Sequence, residues 1–227
     1  MIRASILIAS ADPSGPGFAR CMAELRAHTR DVEVLVLNNP REDFSITNVM
    51  NRLVRASVGR YIVIMGDDCF VAEGWLDKMV TEAMSDPRIG IVGGLPHADK
   101  LPYFVSFAFV LVKREVFEKI GPYDERLVFA FDDNDICDRA IAAGFALSDV
   151  ETGASHQDGG SGSPMSVRVR RARTATIYFR KRGRFWPILY WVPKMLFLPY
   201  RKMELGGFTP AVRRLEGLHH ASNPSSS

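Results

Sequence analysis

The sequence predicts an α/β protein, a mostly parallel sheet flanked by helices on both faces, continued by a basic and apolar C-terminal helical extension. Three observations support this reading. Short apolar runs fit for buried strands alternate with stretches whose apolar residues recur every three or four positions. One run, IVIM, ends in two adjacent carboxylates, where a parallel sheet presents its ligand loops. Charge also changes sign along the chain: residues 1–158 carry 16 Lys and Arg against 24 Asp and Glu, and residues 159–227 carry 13 against 2. The change falls in GGSGSP, 159–164, a linker-like composition, so the expected division is an α/β domain over 1–158 and an extension over 159–227.

At 227 residues and 47% hydrophobic content the chain can bury a full core, which excludes a disordered protein. Cys21, Cys69 and Cys137 form an odd set without CxxC spacing, so neither a disulfide framework nor a structural zinc site is expected, and a reducing cytoplasm suits them. The apolar run after Arg3 is too short for a signal peptide and reads as the first strand. A helix is expected over Phe18 to Ala27, then a strand in VEVLVL. Ile46, Val49, Met50, Leu53 and Val54 form one helical stripe ending near Gly59. YIVIM reads as a strand buried on both faces. Trp75, Leu76, Met79, Val80 and Ala83 form the next stripe, and IGIVG another strand. Tyr103 to Val112 reads as a strand, REVFEKI as a short helix closed by Gly121, and Asn134 to Ala143 as a helix closed by Gly144. The Ser-rich tail from about residue 220 reads as disordered.

Asp67 and Asp68 close YIVIMG, where a core cannot hold bare carboxylates. An isolated Asp pair is most simply a solvated turn, but at a strand's carboxyl end it can also hold a hard dication that neutralises phosphate. A second cluster, Asp132, Asp133 and Asp135, opens a helix. One Asp suffices as a cap, worth roughly 1 kcal/mol, and close packing of three raises the proton affinity of at least one, as a general base near neutrality requires. His156, after the last strand, is a surface histidine or a nitrogen ligand to the same cation.

In order along the chain stand VLVLNNP, NRLVRASVGRYIVIMGDDC, EGWLDKMV, FVLVKREVFEKIGPYDERL, DDNDICDRAIAAGF and His156. The ordered set, over about 32–162, resembles the inverting glycosyltransferases of family 2, which have the GT-A (Rossmann-like) fold. That resemblance implies an enzyme moving a sugar from a nucleotide-diphosphate donor to a glycan or lipid-linked acceptor. It implies that Asp68 and His156 hold Mn²⁺ or Mg²⁺, that Asn38, Asn51 and Asp67 bind the donor, and that Asp133 is the catalytic base, with Asp132 and Asp135 supporting it. Departures from the family pattern are Asn38 for the usual Asp, Gly66 in place of the first Asp of DxD, Asp132 for Glu, and an opening loop, ASADPSGPGFA, without Pro-x-Tyr-Asn.

Between Gly159 and Met203 there are eleven Lys or Arg and no acidic residue, eight of them from Arg168 to Arg184: Arg168, Arg170, Arg171, Arg173, Arg180, Lys181, Arg182 and Arg184. FWPILYWVPKMLFLPY follows, 185–200. As a helix it would reach about 24 Å against a hydrocarbon core of roughly 30 Å, interrupted by Pro187, Pro193 and Pro199, with Lys194 near its middle. The expectation is an interfacial segment, with Trp186, Tyr190 and Trp191 at headgroup depth and the cations on anionic lipid, placing the protein peripherally on the cytoplasmic face of a membrane. The same stretch could instead pack on the catalytic domain. A nucleic-acid-binding protein built on the basic segment is the alternative from another class, and it leaves both acidic clusters unexplained, so no nucleic acid partner is expected. A nucleotidyltransferase shares the sheet and metal logic but calls for a Gly-rich phosphate loop that the sequence lacks.

Overall fold

A computed structural model describes residues 2–39, 45–95, 104–156 and 165–197. The elements run β1 (Ala4–Ser10), α1 (Pro16–His28), β2 (Val32–Asn38), α2 (Ile46–Ala56), β3 (Tyr61–Gly66), β4 (Cys69–Phe70), α3 (Trp75–Ser85), β5 (Ile89–Gly93), β6 (Phe109–Lys113), α4 (Arg114–Ile120), α5 (Asp132–Ala142), β7 (Ala146–Asp149), β8 (Ser155–His156), α6 (Met165–Lys181) and α7 (Trp186–Phe197). The chain divides between Gly160 and Ser161 into two units.

In the first unit six strands form one sheet in the order β2-β1-β3-β6-β5-β7. β1 is parallel to β2 and β3, and β5 to β7, whereas β6 runs antiparallel to both of its neighbours. Successive strand residues face opposite layers. Ile6, Ile8, Val63 and Met65 pack with Leu25 of α1 and with Trp75, Met79 and Ala83 of α3. Leu7, Ile62 and Ile64 pack on the other face with Met50 and Leu53 of α2, Val116 of α4, and Ile136 and Ala140 of α5. Both faces are therefore covered, which is why these strands read as continuous apolar runs rather than alternating ones. Trp75, fully buried, donates its indole N–H to Thr29 Oγ1 at 2.9 Å. Gly59 sits where a Cβ would lie 2.5 Å from the backbone N of Ser5, so the turn into β3 can press directly on β1.

The structure adds β4, β7 and β8, for which the sequence reading has no strand, and places His156 within β8 rather than after the last strand; it also differs at one expected strand. Tyr103 lies outside the described residues; of 104–112 only Phe109 onward is β6, and residues 104–108 form a turn. Val105 and Phe107 are buried all the same, so their apolar character records core burial rather than extended pairing. Just before α5, Ala130 and Phe131 both take left-handed backbone, φ 70° and 63°, a conformation costing of order 1–3 kcal/mol per residue. This pair aims the first turn of α5.

The second unit is a helical pair. α6 buries Ala172, Thr174, Ala175, Tyr178 and Phe179, and the turn that follows it contains Gly183, whose φ of 66° suits a residue without a Cβ. The Arg182 guanidinium stacks 3.9 Å above the Tyr178 ring. α7 runs through Pro193 rather than breaking there, and Pro187 falls at its second position, where a missing N–H costs nothing. Phe185, Trp186 and Leu189 are 63 to 69% exposed. Among the described residues no helix is long and apolar enough to cross a membrane. Pro199 and the tail from 220 lie outside the described residues, as does the side chain of Trp191.

Candidate active site

The site is built where three neighbouring parallel strands end together. Ser10 closes β1, Asn38 closes β2 in register with it, and Asp67 follows β3. The Ser10 hydroxyl, itself buried, donates to Asp67 Oδ2 at 2.5 Å and accepts from the Asp12 N–H at 3.2 Å. Asp67 is thereby fixed by the adjacent strand. Asn38 is exposed at the sheet edge. Asn39, 2% exposed, accepts from the Ser45 N–H, but its Nδ2 has no hydrogen-bond partner among the described residues.

Asp68 stands beside His156, far away in sequence, because the short strands β4 and β8 pair antiparallel with Cys69 opposite His156. His156 Nε2 lies 3.1 Å from Asp68 Oδ1. That is the spacing of neighbouring ligands around an ion bound at roughly 2.0–2.2 Å. The ligand atoms of Asp68, Cys69 and His156 all lie within 4.8 Å of one another. A carboxylate oxygen and an imidazole nitrogen at this spacing fit a divalent cation. Burial pushes the Cys69 thiol up to about 12, aided by the Asp68 and Asp67 charges, and the thiol donates to the Ala108 carbonyl at 3.1 Å.

The second acidic cluster occupies the first turn of α5. Asp133 Oδ1 accepts the Asn134 N–H at 2.8 Å. Burial first, and the Asp133 charge second, raise Asp132 well above the usual carboxylate range. Asp132 therefore binds a proton in the folded state at pH values where the unfolded chain has lost it. Stability should fall as pH rises from the ordinary carboxylate value through the raised one. Asp132→Asn should flatten that slope, as read by urea midpoints across pH.

Asp135 belongs to the scaffold. It is 1% exposed and pairs with Arg139 Nε at 2.8 Å, while Arg139 also donates to the carbonyls of Ile120 and Pro122 at 2.7 and 3.0 Å. The resemblance implies that Asn51 binds the donor; in the structure its amide holds a turn. Buried in α2, Asn51 accepts the Tyr123 N–H at 2.8 Å and donates to the Tyr123 carbonyl at 3.0 Å and to Glu125 at 2.9 Å. Both ends of its amide are committed to holding this turn.

The turn at 104–108 joins the two acidic clusters. Ala108 O accepts the Gly66 N–H at 2.8 Å and the Cys69 thiol, and the Val105 N–H lies 3.5 Å from Cys137 Sγ, one helical turn after Asp133. Val105 and Ala108 have Cα atoms at most about 11 Å apart, so the clusters flank one short segment. Sequence reasoning missed Ser10, Asn39, Cys69 and Tyr123. Tyr123 is 3% exposed, its hydroxyl has no hydrogen-bond partner among the described residues, and burial together with the Asp132 and Asp133 charges raises it well above 10. Adjacency to Asn38 and Asp68 was the available signal for Asn39 and Cys69, and the end of a parallel neighbour for Ser10. Nothing in the sequence marked Tyr123. The basic residues form part of the second unit: Arg173, Arg180 and Lys181 are exposed, and Arg168, Arg170, Arg171, Arg182 and Arg184 are half-buried.

Known structures share this architecture. A mannosyltransferase from Pyrobaculum calidifontis, in complex with GDP-Man and Mn²⁺, is 15% identical over 98% of this chain and 76% of its own, with a TM-score of 0.61. Glucosyl-3-phosphoglycerate synthase from Mycobacterium tuberculosis, in complex with Mn²⁺ and UDP-glucose, is 13% identical over 80% of this chain and 79% of its own, TM-score 0.54. TarS of S. aureus is 11% identical over 78% of this chain and 40% of its own, TM-score 0.54. No curated protein matches the sequence. At these identities the likeness shows the fold, which is that of the GT-A glycosyltransferases. Residues 8–110 match the family model described as glycosyl transferase family 2.

Proposed function

We propose that the protein is a metal-dependent inverting glycosyltransferase that moves a sugar from a nucleotide-diphosphate donor to a hydroxyl of a glycan or lipid-linked acceptor. The observation that carries this is the convergence of Asp68 and His156, 88 positions apart in the sequence, at 3.1 Å on the carboxyl edge of the sheet. Asp68 and His156 would hold Mn²⁺ or Mg²⁺, which when bound supplies the positive charge that screens the donor's diphosphate. Asp67, fixed by Ser10, and Asn38 at the edge of β2 would position the nucleotide. Asp133, at the start of α5, would take the proton of the attacking acceptor hydroxyl, with Asp132 sharing charge beside it.

The exposed Phe185, just before α7, and Trp186 and Leu189 within it, together with the basic residues of α6, support a peripheral seat on an anionic membrane at the cytoplasmic side. The catalytic domain would span 1–158 and the membrane-facing extension 159–227. The function is tested by thermal shift with a panel of nucleotide-sugars, with and without Mn²⁺. The true donor at a hundredfold its Kd adds about 2.7 kcal/mol of stability, and omitting the cation removes most of that gain. A panel that gives no cation-dependent shift contradicts the proposal.

A further inference from the structure

Family resemblance gives the cation two kinds of ligand atom, carboxylate oxygen and imidazole nitrogen. The structure puts a third kind beside them. Cys69 lies directly opposite His156 in the β4/β8 ribbon, and directly paired residues of antiparallel strands point to the same face. A Cβ built on Gly66 would come within 2.6 Å of Asp68 Oδ1 and 3.5 Å of Cys69 Sγ, so oxygen and sulfur gather over the one residue that offers no side chain. A carboxylate oxygen of Asp68, the Cys69 sulfur and an imidazole nitrogen of His156 all lie within 4.8 Å of one another. Asp68 and His156 keep surface exposed at the rim, and Cys69, 1% exposed, forms the floor.

We propose that Cys69 is a third ligand, making this a mixed oxygen, sulfur and nitrogen site that prefers borderline cations such as Zn²⁺ and Co²⁺ to Mg²⁺. The proposal rests on the reading of Asp68 and His156 as cation ligands. Thiolate sulfur favours the later first-row metals, whereas Mg²⁺ takes oxygen. On binding, the S–H bond breaks as the metal–sulfur bond forms, the proton passes to solvent, and Sγ gives up its hydrogen bond to the Ala108 carbonyl. Gly66, where the family pattern has Asp, is the opening that lets the sulfur approach. A sulfur ligand also supplies the negative charge that the missing carboxylate does not.

The test is a titration of the full-length, chelator-stripped protein with Co²⁺ alone, followed by visible and near-ultraviolet absorption. The expected result is a set of d–d bands together with a sulfur-to-cobalt charge-transfer band. Cys69→Ser abolishes the charge-transfer band, keeps weaker d–d bands, and loosens Co²⁺ about tenfold or more while changing Mg²⁺ affinity less than about threefold. Cys21→Ser leaves the band in place. d–d bands without charge transfer in the wild-type protein overturn the sulfur ligand and leave the Asp68 and His156 reading standing, and need no variant to be read. A charge-transfer band that survives in Cys69→Ser places the sulfur elsewhere and likewise overturns the proposal. No Co²⁺ binding at all overturns both readings.

Discussion

Replacing Asp133 by Asn leaves donor binding in place and lowers turnover by about 10²- to 10⁴-fold, the usual contribution of a general base. Asn is almost the same size and keeps an oxygen for the Asn134 N–H that Asp133 accepts at 2.8 Å, so the start of α5 is not disturbed. What disappears is the capacity to take a proton. The donor's Kd and its cation-dependent thermal shift should be unchanged, which separates loss of chemistry from loss of the site. Unchanged turnover in Asp133→Asn removes Asp133 from the base role and transfers attention to Asp132, whose proton affinity is raised by burial and by its neighbour.

Replacing Asp68 by Ala has the opposite signature, with both cation and donor binding lost. Removing an outer partner of a metal ligand already costs about 10- to 100-fold in affinity, and removing the ligand itself should cost at least the upper end of that range. The side chain of Asp68 is 38% exposed, so without ligand the variant should stay within about 0.5 kcal/mol of the parent. The about 2.7 kcal/mol that a saturating donor adds in Mn²⁺ should vanish with it. Retention of that gain would mean that the diphosphate is screened by groups other than Asp68.

The fold could be read from the sequence because its strands and helices differ in period. The stripes on α2 and α3 are continuous and amphipathic, and YIVIM is apolar on every residue because helices cover both of its faces. The turn at 104–108 was misread because Val105 and Phe107 are core residues held without strand pairing. Apolar content reports burial and is silent about hydrogen-bond partners. In the site, Asp67, Asp68, Asp132, Asp133 and His156 stood out because charge or imidazole interrupts apolar sequence. Asn51 also fits a polar role, but which group its amide serves depends on the Tyr123 turn 72 positions away. Cys69 and Tyr123 look like ordinary core residues until the β4/β8 pairing and the hydroxyl without a partner are seen.

On the proposed function, a carboxylate following β3 and an imidazole from β8 hold one dication against the donor. The most direct measurement is the electron paramagnetic resonance signal of free Mn²⁺ titrated with wild-type, Asp68→Ala and His156→Ala protein in the presence of a nucleoside diphosphate. Wild-type protein should quench the free-ion signal in a one-to-one ratio, and each variant should weaken the quenching at least about tenfold. Equal quenching by all three proteins would contradict that function.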